Sequence, residues 1–167
     1  MEISRAWAMP NKHTFSIKPI RALIDRHIDG FSIDPFANSN ILTSETNDID
    51  TQYNCDYSMD ALEYLRLNNS SSVDTLLFDP PYSPRQVAEC YKRCDKTVNM
   101  QTTQASFWSN LKAEIGRIIV PDGKVITCAW NSGGIGKKYG FEIIEVLLVA
   151  HGGWHNDTIV TVERKLV

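Results

Sequence analysis

The quartet Asp79-Pro80-Pro81-Tyr82 follows directly on the apolar run Val73 to Phe78. A short β-branched and leucine-rich run predicts a buried parallel strand, and open α/β sheets bind ligands at the carboxyl ends of such strands. Two consecutive prolines fix φ and remove two N–H donors, so the ladder cannot continue through them. What remains are acceptors, the Asp79 carboxylate and the Pro80 carbonyl, beside the flat ring of Tyr82. That combination suits a planar group bearing an NH2, such as a nucleobase. A strand-ending turn without chemistry is the plainer alternative.

Further acidic residues sit where strands are expected to end. Asp34-Pro35-Phe36 follows Phe31-Ser32-Ile33, and Asn47-Asp48-Ile49-Asp50 follows a second candidate strand over 40–46. His151, His155 and Asp157 resemble a metal cluster only superficially. They flank Gly152-Gly153 in a segment that reads as a hairpin turn, so no metal is expected. Cys55, Cys90, Cys94 and Cys128 show no CxxC pairing, and reduced thiols are the simplest reading.

The elements that must position these residues can be read from periodicity. Ile20, Leu23, Ile24 and Ile28 form an apolar stripe that predicts a helix over 18–28, with Pro19 in its first turn and Gly30 as a stop. Met59, Leu62 and Leu65 predict a helix over 58–67, and Trp108, Leu111, Ile115, Ile118 and Ile119 one over 107–119. A further helix is expected over 85–91, followed by a polar, irregular stretch over 95–104. Pro121-Asp122-Gly123 turns the chain into a strand over 124–130, and the β-rich runs 141–150 and 158–164 predict an antiparallel hairpin.

At 167 residues the chain is expected to fold as one domain, burying roughly 70% of its unfolded surface. No apolar run approaches the about 20 residues of a membrane span, and Met1 to Pro10 has no signal-peptide character, so a cytoplasmic location is expected. The net charge of −3 conceals an uneven distribution: −6 over 1–82, +5 over 83–138 and −2 over 139–167. A basic segment just after the candidate catalytic strand is where a phosphate backbone could dock, although a solvated helical face would look the same.

Taken in order, these segments resemble an amino-group DNA methyltransferase using S-adenosylmethionine, most closely the adenine-specific kind and similar to small phage-type enzymes. Lys18-Pro19 with its helix resembles the motif preceding the first strand. Asp34-Pro35-Phe36-Ala37-Asn38-Ser39-Asn40 resembles the cofactor loop, and Asp79-Pro80-Pro81-Tyr82 the catalytic motif. The resemblance implies a Rossmann-like, class I methyltransferase α/β fold, a mostly parallel sheet with an antiparallel carboxyl-terminal edge hairpin. The family's loop carries glycines after Asp-Pro-Phe. This chain has Ala37, Asn38, Ser39 and Asn40, of which Asn tolerates left-handed φ best.

The resemblance also implies roles. Asp79, Pro80, Pro81 and Tyr82 are the catalytic candidates, Tyr82 by stacking on the target base. The cofactor candidates are Lys18, Asp34, Pro35, Phe36, Ala37, Asp48, Asp60 and Ala61. Asp48, with Asp50 second, would accept from the ribose hydroxyls, and Asp60, ahead of Asp56, from the cofactor's adenine. A helix amino-terminal acid or cap is an equal alternative for these acids. Phe36 would line the methionine end or pack beneath the loop, and Lys18 would meet the cofactor carboxylate or remain solvated. Arg85 and Gln86 are candidates for phosphate or the orphan base, and Trp130 and Asn131 for the target pocket. With no separate recognition domain expected, sequence choice would rest on the 83–106 segment, on a homodimer or on a separate specificity subunit. RNA-base or cytosine-amino methylation, and a catalytically silent DNA-binding subunit, are the alternatives.

Overall fold

The computed structural model describes residues 1–81, 89, 91, 92, 94 and 105–166. Strands β1 (Glu2–Trp7), β2 (Ser32–Asp34), β3 (Glu45–Thr46), β4 (Val73–Phe78), β5 (Ile119–Ala129), β6 (Phe141–Ala150) and β7 (Thr158–Lys165) form one sheet. Their order is β1-β6-β7-β5-β4-β2-β3. Every pairing is parallel except those that β7 makes with β5 and β6. This is the predicted mostly parallel sheet with an antiparallel hairpin.

Helix α1 (Lys18–His27) covers one face of the sheet, where Ile20, Leu23 and Ile24 meet Leu77, Ile126 and Val160. Helices α2 (Ala61–Leu67) and α3 (Ala105–Ile118) cover the other, where Tyr64, Leu65, Leu111, Ile115 and Ile118 meet Leu76, Phe78 and Val125. Strand β4 is therefore buried on both sides, which explains why it reads as a continuous apolar run and not as an alternation. Each such side chain contributes about 1.5–3 kcal/mol by leaving water. Among the described residues no helix is long and apolar enough to cross a membrane.

The structure departs from the sequence reading at several points. Strand β1 was not expected; it lies outside the hairpin, parallel to β6 from Glu2 opposite Glu145 to Trp7 opposite Ala150. It is held by main-chain pairing while Ile3 and Trp7 stay exposed, so no buried stripe marks it in the sequence. The strand expected over 40–46 shrinks to Glu45–Thr46, because the preceding residues fold back over Asp34. The second helix starts at Ala61, with Asp60 as its N-cap. Strand β5 begins at Ile119, straight out of α3. Its residues 120–123 bulge between the pairs Val73–Ile119 and Thr75–Lys124, with Asp122 at φ 63°. Most of the expected 85–91 helix and all of 95–104 lie outside the described residues.

Candidate active site

Strands β2, β3 and β4 are parallel neighbours, so the segments leaving Asp34, Thr46 and Phe78 emerge at one sheet edge. The chain steps outward from β2 to β3, then crosses back over β2 to reach β4. That reversal makes the β2/β4 boundary a topological switch point, the place where open α/β sheets form a ligand crevice. A cavity of about 530 Å³ lies there, with Pro35, Phe36, Asp48, Asp60, Asp79 and Pro80 among its walls. Its size is in the range of small-molecule sites.

The loop after β2 owes its shape to buried polar contacts. Asp34 is fully buried, and its carboxylate accepts from the Phe36 N–H at 3.0 Å and from the Asn40 side-chain amide at 2.8 Å. Burial pushes the Asp34 carboxyl up to about 7; those two hydrogen bonds oppose the rise, and the nearby charges of Asp79 and Asp48 add to it. Asn38 sits at φ 52° and its N–H donates to the Asp48 carboxylate at 2.8 Å. An Asn thus occupies the left-handed position for which glycine is the usual solution. The Phe36 ring meets Phe78 edge-on at 5.8 Å and also lines the cavity, so packing and lining coexist.

Asn47 ties the loops together. Its side-chain amide donates to the carbonyls of Pro35 and Met59, each at 3.1 Å, and its side-chain oxygen accepts from the Met59 N–H at 3.1 Å. Its own N–H donates to the Asp34 carbonyl and its carbonyl accepts from Ala37 N–H, both at 2.9 Å. A parallel bridge between Asn47 and Tyr57 continues the connection towards α2. Sequence reasoning passed over Asn47 because asparagine in an acidic loop looks like ordinary turn chemistry.

The candidate residues divide by position. Pro35, Phe36, Asp48, Asp60, Ala61, Asp79, Pro80 and Pro81 all line the 530 Å³ cavity, as does Asp50. Asp34 lies beneath the loop as its brace. Ala37 lines a second cavity of about 250 Å³ that adjoins the first. Lys18 is exposed at the start of α1 and lines neither cavity. Trp130 and Asn131 also line neither; Asn131 accepts from the Gly133 N–H at 2.8 Å in a local turn. Tyr82, Arg85 and Gln86 are outside the described residues.

Asp60 accepts from the Leu62 N–H at 2.9 Å as the cap of α2, and its other oxygen accepts from the Tyr91 hydroxyl. Asp56 is committed elsewhere, accepting from both the N–H and the hydroxyl of Thr46 at 2.8 Å. Those contacts, hydroxyl first, hold its carboxyl below the usual range. Phe107 and Trp108 complete an aromatic wall; sequence reading assigned Trp108 to the core because a helical apolar stripe gives no sign of which end is open. His151 is buried, its ring nitrogens 2.8 Å from the Ala8 carbonyl and the Thr158 hydroxyl, so it ties the chain after β1 to the hairpin.

The cavity walls suit a cationic, partly aromatic ligand. Asp48, Asp50, Asp60, Asp79 and Glu89 contribute carboxylates, and none of the described wall residues is Lys, Arg or His. This donor set fits a sulfonium compound carrying a diol and a flat heterocycle: acceptors for hydroxyls and amino groups, with aromatic faces for the ring.

No protein-family profile and no curated protein sequence matches the chain. Solved structures do. The chain superposes on 1,6-didemethyltoxoflavin-N1-methyltransferase from Burkholderia thailandensis, bound to 1,6-didemethyltoxoflavin and S-adenosylhomocysteine, with TM-score 0.53 and 10% identity over 81% of this chain and 71% of that one. TrmN from Thermus thermophilus gives 0.54 at 18% identity over 89% of this chain, which spans about half of TrmN (48%). A putative methylase from Haemophilus influenzae, HI0767, gives 0.52 at 8% identity over 90% and 96% of the two chains. The fold is therefore that of the Rossmann-like methyltransferases.

Proposed function

We propose that this protein is an S-adenosylmethionine-dependent methyltransferase acting on the exocyclic N6 amino group of adenine in DNA. The observation that carries the reading is the meeting, in one cavity, of the acceptors of Asp79-Pro80 with the loop that follows Asp34. The methyltransferase fold and the cofactor product bound in the Burkholderia thailandensis enzyme support it further.

Phe36, Asp48, Asp60 and Ala61 would hold the cofactor, which supplies an electrophilic methyl on a sulfonium. The target nitrogen is a poor nucleophile because its lone pair is delocalised into the ring. The Asp79 carboxylate and Pro80 carbonyl accept from its two N–H groups, which favours a pyramidal nitrogen with its lone pair directed at the methyl. Their negative character also lies where positive charge develops during the in-line displacement. The proton released afterwards passes to Asp79 or to water. In duplex DNA the base must first leave the stack, at a cost of a few kcal/mol that contacts in the site offset.

The test is direct. The protein is titrated calorimetrically with S-adenosylmethionine, then incubated with labelled cofactor and either DNA or RNA, and the nucleic acid is digested to nucleosides. Label in N6-methyldeoxyadenosine, abolished by Asp79→Ala with cofactor binding retained, is the expected result. Label in a cytosine derivative or in RNA alone would replace the substrate assignment, and absence of binding at millimolar cofactor would leave a silent subunit.

A further inference from the structure

We propose that the second cavity receives the target nucleotide, and that Lys12 and Arg21 on its rim hold the phosphates flanking it. This rests on the methyltransferase reading above and names where its DNA substrate enters. The two cavities share Thr14, Phe36, Asn38 and Asp79 as a common wall. In-line transfer places the nucleophile and the leaving sulfur on opposite sides of the methyl carbon, and two chambers with Asp79 in their common wall give methyl donor and acceptor separate places beside it. The volumes differ in the same sense: about 530 Å³ against about 250 Å³, the smaller below the usual range for a whole small-molecule ligand and suited to a fragment such as one base.

Charge separates the chambers more sharply. The larger one has carboxylates and no basic group among its described walls, whereas the smaller one has Lys12, His13 and Arg21, with Asp79 as its acid. The basic side chains lining the second chamber attract a polyanion to its opening. All three basic residues are exposed, so their side chains can follow a backbone lying across the opening. The Arg21 guanidinium pairs with Asp25 at 2.8 Å, but that i,i+4 pair is about half exposed and weak enough for a phosphate to compete. His13 reaches the Ser39 hydroxyl at 3.3 Å, joining the rim to the loop that shapes both chambers.

The experiment compares wild type with the Lys12→Ala/Arg21→Ala double variant, using a fluorescein-labelled DNA oligonucleotide followed by anisotropy from 50 to 200 mM salt. Calorimetry with S-adenosylmethionine runs in parallel. The variant is expected to bind DNA at least tenfold more weakly at 50 mM salt, with its log–log salt slope shallower by about 2, while cofactor affinity stays within twofold. Lys12→Arg with Arg21→Lys is expected to restore most of the binding. Unchanged DNA affinity and slope in the variant would overturn the proposal, as would a tenfold loss of cofactor affinity, which would give the second cavity to the cofactor. A wild-type protein that binds DNA through this rim but takes up no cofactor would instead defeat the methyltransferase reading and leave the phosphate rim standing.

Discussion

Asn47 and Met59 exchange hydrogen bonds in both directions: the Asn47 side-chain amide donates to the Met59 carbonyl and its oxygen accepts from the Met59 N–H, each at 3.1 Å. A side chain thus imitates a strand partner, and it does so with both of its polar atoms buried. The second amide hydrogen goes to the Pro35 carbonyl, so one residue fixes the segments that carry Phe36, Asp48 and Asp60. Replacing it leaves backbone groups of two loops without partners. Asn47→Ala is expected to lower stability by about 2–4 kcal/mol in urea unfolding. Asn47→Asp, isosteric but without the amide donors, should lose a similar amount. A loss under about 0.5 kcal/mol in both would show that water or loop movement replaces these bonds.

Asp34 gives a pH dependence whose sign can be worked out. Its carboxyl titrates at about 7 in the folded protein because it is buried, against 3.8 for the ordinary group. Between those values the folded state holds a proton that the unfolded chain has released. Stability therefore falls as pH rises from about 4 to about 7 and levels off above. Glu163, also raised by burial, acts in the same direction. Urea midpoints of wild type are expected to decline between pH 5 and pH 8, and the decline should be smaller in Asp34→Asn. Equal slopes in the two proteins would remove Asp34 as the source.

How much of this was legible in the sequence follows from what each contact depends on. The central strand and its Asp-Pro-Pro ending were readable because burial on both faces forces a continuous apolar run, and prolines must end a ladder. The α1 stripe was readable for the same reason, since Ile20, Leu23 and Ile24 are fully buried at helical spacing. Asparagine was the residue type expected to take a left-handed backbone in this glycine-poor loop, without a choice between Asn38 and Asn40; Asn38 holds φ 52°. What could not be read depends on partners far away in the chain. β1 needs β6 beside it, and Trp130 and Asn131 follow β5 without lining the cavity. Asp34 differs from Asp48 only by the fold that places one under the loop and the other in the wall.

Asp60 illustrates how one side chain can serve the fold and the site together, and the two uses are separable. Its first oxygen caps α2 through the Leu62 N–H, a contact that serine can also make. Asp60→Ala is expected to lose about 1 kcal/mol of stability, whereas Asp60→Ser should stay within about 0.5 kcal/mol of wild type. Tyr91→Phe controls for the bond to the second oxygen. If the carboxylate contacts cofactor, both Asp60 variants bind S-adenosylmethionine at least tenfold more weakly by calorimetry. Full affinity in Asp60→Ser would restrict Asp60 to capping.

Glu163 and Gly134 are matched in the same way on the far side of β5. The buried Glu163 carboxylate accepts from the Ile135 N–H at 2.6 Å and the Gly136 N–H at 2.9 Å, while Lys112 donates to the Gly134 carbonyl at 2.5 Å. This pins the loop that follows Asn131. A Cβ on Gly134 would lie 2.3 Å from the Glu163 carboxylate, and its φ of 48° is one that side-chain-bearing residues avoid. Glu163→Ala, which strips one buried and one partly buried N–H of their acceptor, is expected to cost about 2–4 kcal/mol. Gly134→Ala alone should cost more than the about 1 kcal/mol of left-handed strain, because the clash with Glu163 is added to it. In the Glu163→Ala background that clash is gone and only the strain remains, so the double variant should be more stable than the sum of the single losses requires. A double-mutant cycle by urea unfolding reads this as a coupling of about 1 kcal/mol or more. Strict additivity would mean that the loop, not Glu163, moves to accommodate the added methyl.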